Sequence, residues 1–471
     1  KTAYEIRPRD WSSDVCSSDL TIDRDTSRDE RYRSDGSVAR KKRRIMLLRR
    51  VRLARSIMML VILSMIAALI NLQVFTSVDT YPDARDAAAK TKPLPALRGD
   101  IRDRYGALLA STIEVRTVFA DQMMVTNPAD QAKQLAPLLR MDARNLETLL
   151  TGKDRYVILK REVSQSLWME IADLQLAGIS SERAQHRSYP EGLLISNLLG
   201  HLNYAGVATE GLEKQYDSVL AGKDGRRSVY GAVVQTGDDS RYTPAVDGSH
   251  LILTIDKNIQ GTAQQAIAAK VKESGAESGT VVVVNAKTGE ILAMATAPTF
   301  DPLNITNETK KFLSNRALSD AYEPGSVGKV MTMASILDAG IASPSSKFTV
   351  PYALRRSDGT LHDHKRHPTL KLTLTGILAK SSNTGTILAA ESMKDETLYN
   401  YFTKFGVGQP SGLSFPDESK GKLVHSDEWG GTDRYNKMFG QGYTVTPLQA
   451  AAIFATIAND GVRMTPQIGR A

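Results

Sequence analysis

Ser326 and Lys329 are the pair in this 471-residue chain whose types and spacing suit covalent chemistry. Three positions apart, they share one face of a helical turn, so an amine comes within reach of a hydroxyl. Pro324 and Gly325 suit a turn just ahead, and Val330, Met331, Met333, Ala334 and Leu337 follow at helical spacing. The serine is therefore expected at or near the first turn of a buried helix. Free backbone N–H groups and the positive dipole end there favour a developing oxyanion. A lysine in a dry pocket sheds its proton and can serve as the base. A second Ser-x-x-Lys, at Ser419 to Lys422, lies in a Pro/Asp/Gly-rich loop without that context. Gly328-Lys329 is not a phosphate-binding loop. That loop needs Gly five positions before its Gly-Lys and Ser or Thr after it, where this chain has Glu323 and Val330.

Two other groups carry polar chemistry. Ser381-Ser382-Asn383 closes the apolar run Thr373 to Ala379 and is the chain's Ser-x-Asn. His362, Asp363, His364 and His367 form a metal-like cluster, but among Gly359, Lys365, Arg366 and Pro368 they read as a polar loop. No metal and no cofactor is expected. Cys16 is the single cysteine, so neither a disulfide framework nor a cysteine metal site is available.

The elements that must position these residues read as follows. Leu251 to Ile255 is a strand, and Asp256 caps a helix with Ile259, Ala263, Ala266, Ile267 and Val271 on one face. Thr280 to Val284 and Glu290 to Ala295 flank Asn285-Ala-Lys-Thr-Gly289, a hairpin signal. After Ser326 and Ser381, Gly440-Gln-Gly-Tyr-Thr-Val-Thr-Pro-Leu-Gln449 opens a last helix over roughly 447–459. Residues 246–471 are thus expected to pack helices on an antiparallel sheet. Residues 77–245 read as a mixed domain of short strands at 107–111 and 115–120 and helices over 129–150 and 163–177, Asp142 being an N-cap. Its glycine-punctuated segments read as turns and ion pairs, giving it a structural or partner-binding role.

The net charge of +8 belongs to the first 55 residues, which hold 16 basic and nine acidic side chains; the rest is nearly neutral. A nucleic-acid-binding body is accordingly disfavoured. Lys1 to Leu20 reads as translated adaptor sequence rather than protein, and residues 1–39 as disordered. Nine Lys/Arg between Arg40 and Arg55 precede twenty uncharged residues, Ser56 to Phe75, long enough to span a bilayer. The positive-inside rule puts the arm in the cytoplasm and everything after Phe75 outside. The expected order is arm 1–55, transmembrane helix 56–75, pedestal 77–245 and catalytic region 246–471.

Taken together, Glu323-Pro-Gly-Ser-x-x-Lys329, Ser381-Ser-Asn383 and Gly440-x-Gly-Tyr-x-Val-Thr-Pro-Leu-Gln449 resemble the transpeptidase domain of the penicillin-binding proteins. Arg98-Gly-x-Ile-x-Asp-Arg-x-Gly106, Arg187-x-Tyr-Pro-x-Gly192 and Glu210-Gly-Leu-Glu213 resemble the pedestal motifs of class B members. The resemblance runs from about residue 56 to the end and implies an α+β fold: one transmembrane helix, a pedestal of the dimerisation type and a transpeptidase domain. It implies that Ser326 attacks the penultimate D-alanine of a peptidoglycan stem peptide, releasing the last D-alanine, and that a neighbouring stem's amine resolves the acyl-enzyme. Lys329 would activate Ser326, Ser381 relay a proton to the leaving amine, and Asn383 bind Lys329 and the substrate amide. Penicillin and other β-lactams should acylate the same serine. A polytopic glycosyltransferase and other division proteins are the implied partners.

The family's third motif, Lys-Thr-Gly or Lys-Ser-Gly, is expected after the last helix. The match here, Lys287-Thr-Gly289, precedes Ser326 and reads as turn chemistry, so the chain looks C-terminally truncated. A bifunctional glycosyltransferase does not fit, because only about twenty residues separate Phe75 from Arg98. A penicillin hydrolase, for which Glu396-x-x-x-Asn400 is the nearest signal, would not need the pedestal. An elongation-type enzyme and a non-catalytic β-lactam sensor or scaffold are the remaining alternatives. The compact pedestal and short basic arm favour the division type, and four intact polar residues favour catalysis.

Overall fold

The structure, a computed structural model, describes residues 35–71, 90–229 and 242–470. Lys1 to Leu20, Cys16 and the end of the expected 56–75 span lie outside the described residues. The chain divides into two units, an N-terminal one and the body from Thr91 onward.

In the first unit a single helix, Asp35–Ile70, runs straight through the basic cluster and the apolar stretch. Arg, Lys, Leu and Met are good helix formers, and past Gly36 neither Gly nor Pro interrupts them. Residues 35–39, expected to be disordered, are thus its first turn. Arg49–Ile70 is long and apolar enough to cross a membrane. Its 22 residues rise about 33 Å, matching a hydrocarbon core of about 30 Å.

In the body, the strand Leu108–Ala120 is the pedestal's axis. It pairs antiparallel with Ile179–Ser188, from Ser111 opposite Ser188 to Ala120 opposite Ile179, and with Val157–Val163 on its other side. The helices Pro128–Leu139, Ala143–Leu150 and Gln165–Asp173 bury Leu135, Leu139, Leu146, Leu150 and Ile171 against Val118, Leu159 and Val163. The helical stretch expected over 129–150 is two helices: the first ends where Arg140 adopts a left-handed φ of 51°, and Asp142 caps the second as expected, accepting from Arg144 N and Asn145 N.

The pedestal motifs converge on one carboxylate. Glu213, with no exposed surface, accepts from Arg98 Nε at 2.6 Å and from Arg187 Nε at 2.8 Å. Arg187 Nη1 also donates to Gly99 O, and Arg98 Nη1 to half-exposed Asp217. Two buried guanidiniums around one carboxylate hold three distant segments in one geometry. Asp103 then ties this region forward: its Oδ1 accepts from Tyr105 N and Ala107 N, its Oδ2 from Lys257 N.

Lys257 opens the helix Lys257–Ser274, capped by Asp256 as expected. It packs on the antiparallel hairpin Gly279–Val284 and Ile291–Ala297 through Ile259, Ala263, Ile267, Val281 and Val283. Ala266 points to solvent instead. Buried Gln260 and Gln264 bond the backbone of Met294 and Thr296, contacts that apolar periodicity does not reveal. Leu251–Leu253 pairs parallel with Ile101–Arg102 and antiparallel with Gly469–Arg470. Ile101, Leu109, Leu251, Ile291 and Leu448 therefore share one core. A second core surrounds the Lys329–Asp338 helix and includes Met331, Ile336, Ile377, Ile387, Phe402 and Tyr443.

Candidate active site

The nucleophile turn is tighter than its spacing suggests. Gly325–Gly328 is a 3-10 turn, and the α-helix starts at Lys329. Ser326 consequently stands exposed at the mouth, while Lys329 is fully buried at the helix start. The Gly440 segment holds the turn in place. Tyr322 and Val445 exchange both backbone hydrogen bonds, Gly325 N donates to Gly440 O at 2.8 Å, and Gly442 N donates to Glu323 at 2.9 Å. Gly440 has φ 97°, and a Cβ there would sit 1.7 Å from Gly325 O, so only glycine allows this approach.

Lys329 Nζ donates to Ser326 Oγ at 3.0 Å, to Ser381 Oγ at 3.1 Å and to Ser381 O at 2.6 Å. Burial pushes its pKa down to about 8, while the Asp363 carboxylate pushes it back up. A neutral amine so placed offers a lone pair to the serine proton.

The second wall is built by two short helices. Thr373 caps Leu374–Lys380, which ends where Ser381 adopts a left-handed φ of 54°. That single reversal aims both the carbonyl and the hydroxyl of Ser381 at Lys329. Ser382 then caps Asn383–Ala390 by accepting from Gly385 N at 2.9 Å. Asn383 does not bond Lys329, contrary to expectation. Its Nδ2 donates to His362 O at 3.1 Å, because the strand Gly359–His362 lies alongside.

Asp363 is the residue that sequence reasoning left in a polar loop. It is buried, and its Oδ2 accepts from Ser382 Oγ at 2.6 Å and His367 Nε2 at 2.9 Å, its Oδ1 from Thr384 N at 2.9 Å. Burial alone would raise its carboxyl pKa, but these hydrogen bonds outweigh it and hold the group below the usual range. His367 is raised by its contact with Pro368 O and by Asp363. Among the described residues no three His, Cys, Asp or Glu side chains converge as a metal site. Only the burial of Asp363 could have flagged it, and burial is not written in the sequence.

Ser326, Ser381 and Asn383 line one cleft of about 940 Å³ with the segment from Thr360 to His367. Lys287-Thr288-Gly289 lies elsewhere, in the hairpin turn, where Asn285 accepts from Lys287 N and Lys287 Nζ meets Asp460 at 3.3 Å. Glu396 is exposed on the helix Asp395–Lys404 and is not part of the cleft lining.

Comparison with known proteins agrees with this architecture. Residues 279–471 match the model for the penicillin-binding protein transpeptidase domain, and residues 93–253 that for the penicillin-binding protein dimerisation domain. The chain is 35% identical over 433 residues to penicillin-binding protein PbpB of Mycolicibacterium smegmatis, covering 85% of this chain and 66% of that protein. It is 33% identical over 377 residues to the peptidoglycan D,D-transpeptidase FtsI of Escherichia coli, covering 78% and 63%. The crystal structure of penicillin-binding protein 3 from Mycobacterium tuberculosis, complexed with aztreonam, is similar at a TM-score of 0.61 and 32% identity, over 80% of this chain and 67% of that one. The chain belongs to the class B penicillin-binding proteins of the cell-division type. It spans about two thirds of the length of the curated relatives it matches.

Proposed function

We propose that the chain is a serine D,D-transpeptidase that cross-links peptidoglycan stem peptides during septal wall synthesis. The observation that carries this reading is the buried Lys329 amine, 3.0 Å from Ser326 Oγ and 3.1 Å from Ser381 Oγ. Neutral Lys329 takes the Ser326 proton as Oγ attacks the penultimate D-alanine carbonyl. Within the 3-10 turn Gly325 N is taken by Gly440 O and Val327 N by Pro324 O, which leaves the N–H of Ser326 for the resulting oxyanion. The proton then passes through the Ser381 hydroxyl to the departing D-alanine amine, leaving an ester on Ser326. An amine from a second stem peptide attacks that ester, and the same groups run in reverse to regenerate Ser326. Asn383, held by His362 O, borders the substrate rather than the lysine.

A β-lactam presents its strained amide to the same serine, in keeping with the aztreonam complex of the tuberculosis relative. The helix Arg49–Ile70 anchors the protein with its basic arm in the cytoplasm and its body outside. Membership in the division branch further supports work beside a polytopic glycosyltransferase and other division proteins. The test is covalent: fluorescent penicillin should label the full chain on the peptide holding Ser326, and Ser326→Ala should abolish the label. Labelling that survives Ser326→Ala places the nucleophile elsewhere.

A further inference from the structure

The cleft wall opposite the nucleophile turn carries more positive charge than the transpeptidase reaction uses. The strand Gly359–His362 and the loop behind it bring His364, Lys365 and Arg366 to the same cavity as Ser326, and Lys380 lines it from the end of its helix. Asp363 is the single carboxylate in that lining, and both its oxygens are occupied by Ser382, Thr384 and His367. Among the described residues none of Lys365, Arg366 and Lys380 has an ion-pair partner.

The wall is also built rather than loose. Asp363 fastens it to the Ser-x-Asn loop. On its neighbour Tyr352, His362 stacks at 5.6 Å and the Arg366 guanidinium sits over the ring at 5.8 Å. A guanidinium laid on an aromatic face keeps its edge N–H groups free to receive an oxyanion in bidentate fashion. Inside a concave cleft, field lines from such charges are focused rather than screened.

We propose that Lys365 and Arg366 form an anion subsite that selects substrates bearing a free carboxylate beyond the terminal D-alanine pair. The inference rests on the transpeptidase reading of the cleft. The cavity is far larger than a dipeptide, so upstream residues of the donor, or the incoming acceptor strand, lie within it. A carboxylate there is attracted, whereas its carboxamide, of the same size and hydrogen-bonding reach, is not.

The experiment measures binding to the full chain in detergent, in a Ser326→Ala background that prevents turnover. Two peptide pairs are compared. One pair ends in D-Ala-D-Ala and carries an internal carboxylate or its carboxamide. The other is an acceptor-type peptide with a free side-chain amine and the same acid or amide. The acid form of one pair should bind about tenfold more tightly, a charge-assisted hydrogen bond's worth, and the pair that shows the preference identifies the strand. The preference should shrink as salt is raised. Lys365→Gln with Arg366→Gln should erase it, and Arg366→Glu should turn it toward the amide; both positions are exposed, so the fold tolerates these changes. Equal binding of acid and amide in both pairs, or a preference untouched by either variant, overturns the subsite. Penicillin labelling of the parent chain at Ser326 reads the transpeptidase assignment separately, so the two ideas fail by different results.

Discussion

Asp363 and Ser382 share a 2.6 Å hydrogen bond in the interior, and that bond joins the hairpin loop to the Ser-x-Asn turn. Ser381, the next residue back, is the one whose hydroxyl and carbonyl hold Lys329. The carboxylate thus fixes the geometry of the base from one residue away and acts on it electrostatically as well.

Asp363→Asn removes the charge while nearly preserving shape. Hydrogen bonds to a charged group contribute about 1.5–3 kcal/mol each, and even one such loss in the acylation transition state slows penicillin acylation about tenfold to a hundredfold. A purely structural role would stop there. Because the carboxylate raises the Lys329 pKa, its loss lowers that pKa further, so the rise of acylation rate with pH moves to lower pH. An unshifted profile in Asp363→Asn would show that the two groups do not communicate.

Lys329 itself sets the profile of the parent protein. With a pKa lowered to about 8, its amine is mostly protonated at pH 7 and mostly neutral above pH 9. Acylation by penicillin should therefore climb through pH 8 and level off. Lys329→Ala should flatten the climb and slow acylation by about two to four decades, the usual contribution of a positioned base. Stopped-flow acylation from pH 6 to 10 reads both.

The chemistry was legible in the sequence because it is local. Ser326 and Lys329 lie on one turn, and helical spacing alone brings amine to hydroxyl. The Asp256 cap and the Asn285–Gly289 hairpin were legible for the same reason. The bond between Ser381 and Lys329 was not legible, since 52 residues separate them; family resemblance supplied only a proton-relay role for Ser381. Asp363 does lie in a loop, but its burial was not legible because a buried, hydrogen-bonded carboxylate and a solvated loop carboxylate have the same one-letter neighbourhood. Asn383 was given the wrong partner because the strand that captures it, Gly359–His362, has no apolar alternation to announce it. The Asp142 cap was legible, whereas the left-handed φ of Arg140 before it was not, because on arginine it is set by packing rather than composition.

The buried lysine should also cost stability at neutral pH. A lysine whose folded pKa is depressed from 10.5 to about 8 is disfavoured in its charged form, so the unfolded chain binds more protons between those values. Stability should rise with pH from about 8 to 10.5, the full deficit, on the order of 3 kcal/mol, being felt below pH 8. Lys329→Met, isosteric in its stem, should therefore melt higher than the parent at pH 7 while losing acylation. Its advantage should shrink as pH approaches 10. A lower melting temperature for Lys329→Met at pH 7 would show that the amine's three hydrogen bonds outweigh its desolvation.

The last prediction concerns the pedestal, where burial decides which ion pair matters. Arg98 meets both Glu213, which has no exposed surface, and Asp217, which is 49% exposed, each at 2.6 Å. Equal distances do not mean equal energies. Water screens Asp217, so Asp217→Asn should cost at most about 1 kcal/mol. Glu213→Gln strands the buried Arg187 guanidinium without its counter-charge and leaves Arg98 only the water-screened Asp217, and breaking a buried pair from one side costs about 3–5 kcal/mol. That is a large fraction of the 5–15 kcal/mol that holds a typical domain together. The expected result is a far larger fall in melting temperature for Glu213→Gln than for Asp217→Asn. Molecules of either variant that remain folded should still acylate at Ser326, because no part of this cluster reaches the cleft. Replacing Arg98, Arg187 and Glu213 together by apolar residues of similar volume should recover part of the loss, since the one charge then left unpaired, Asp217, is half-exposed and solvated. If Glu213→Gln and Asp217→Asn melt alike, Glu213 is not the buried counter-charge of the two arginines.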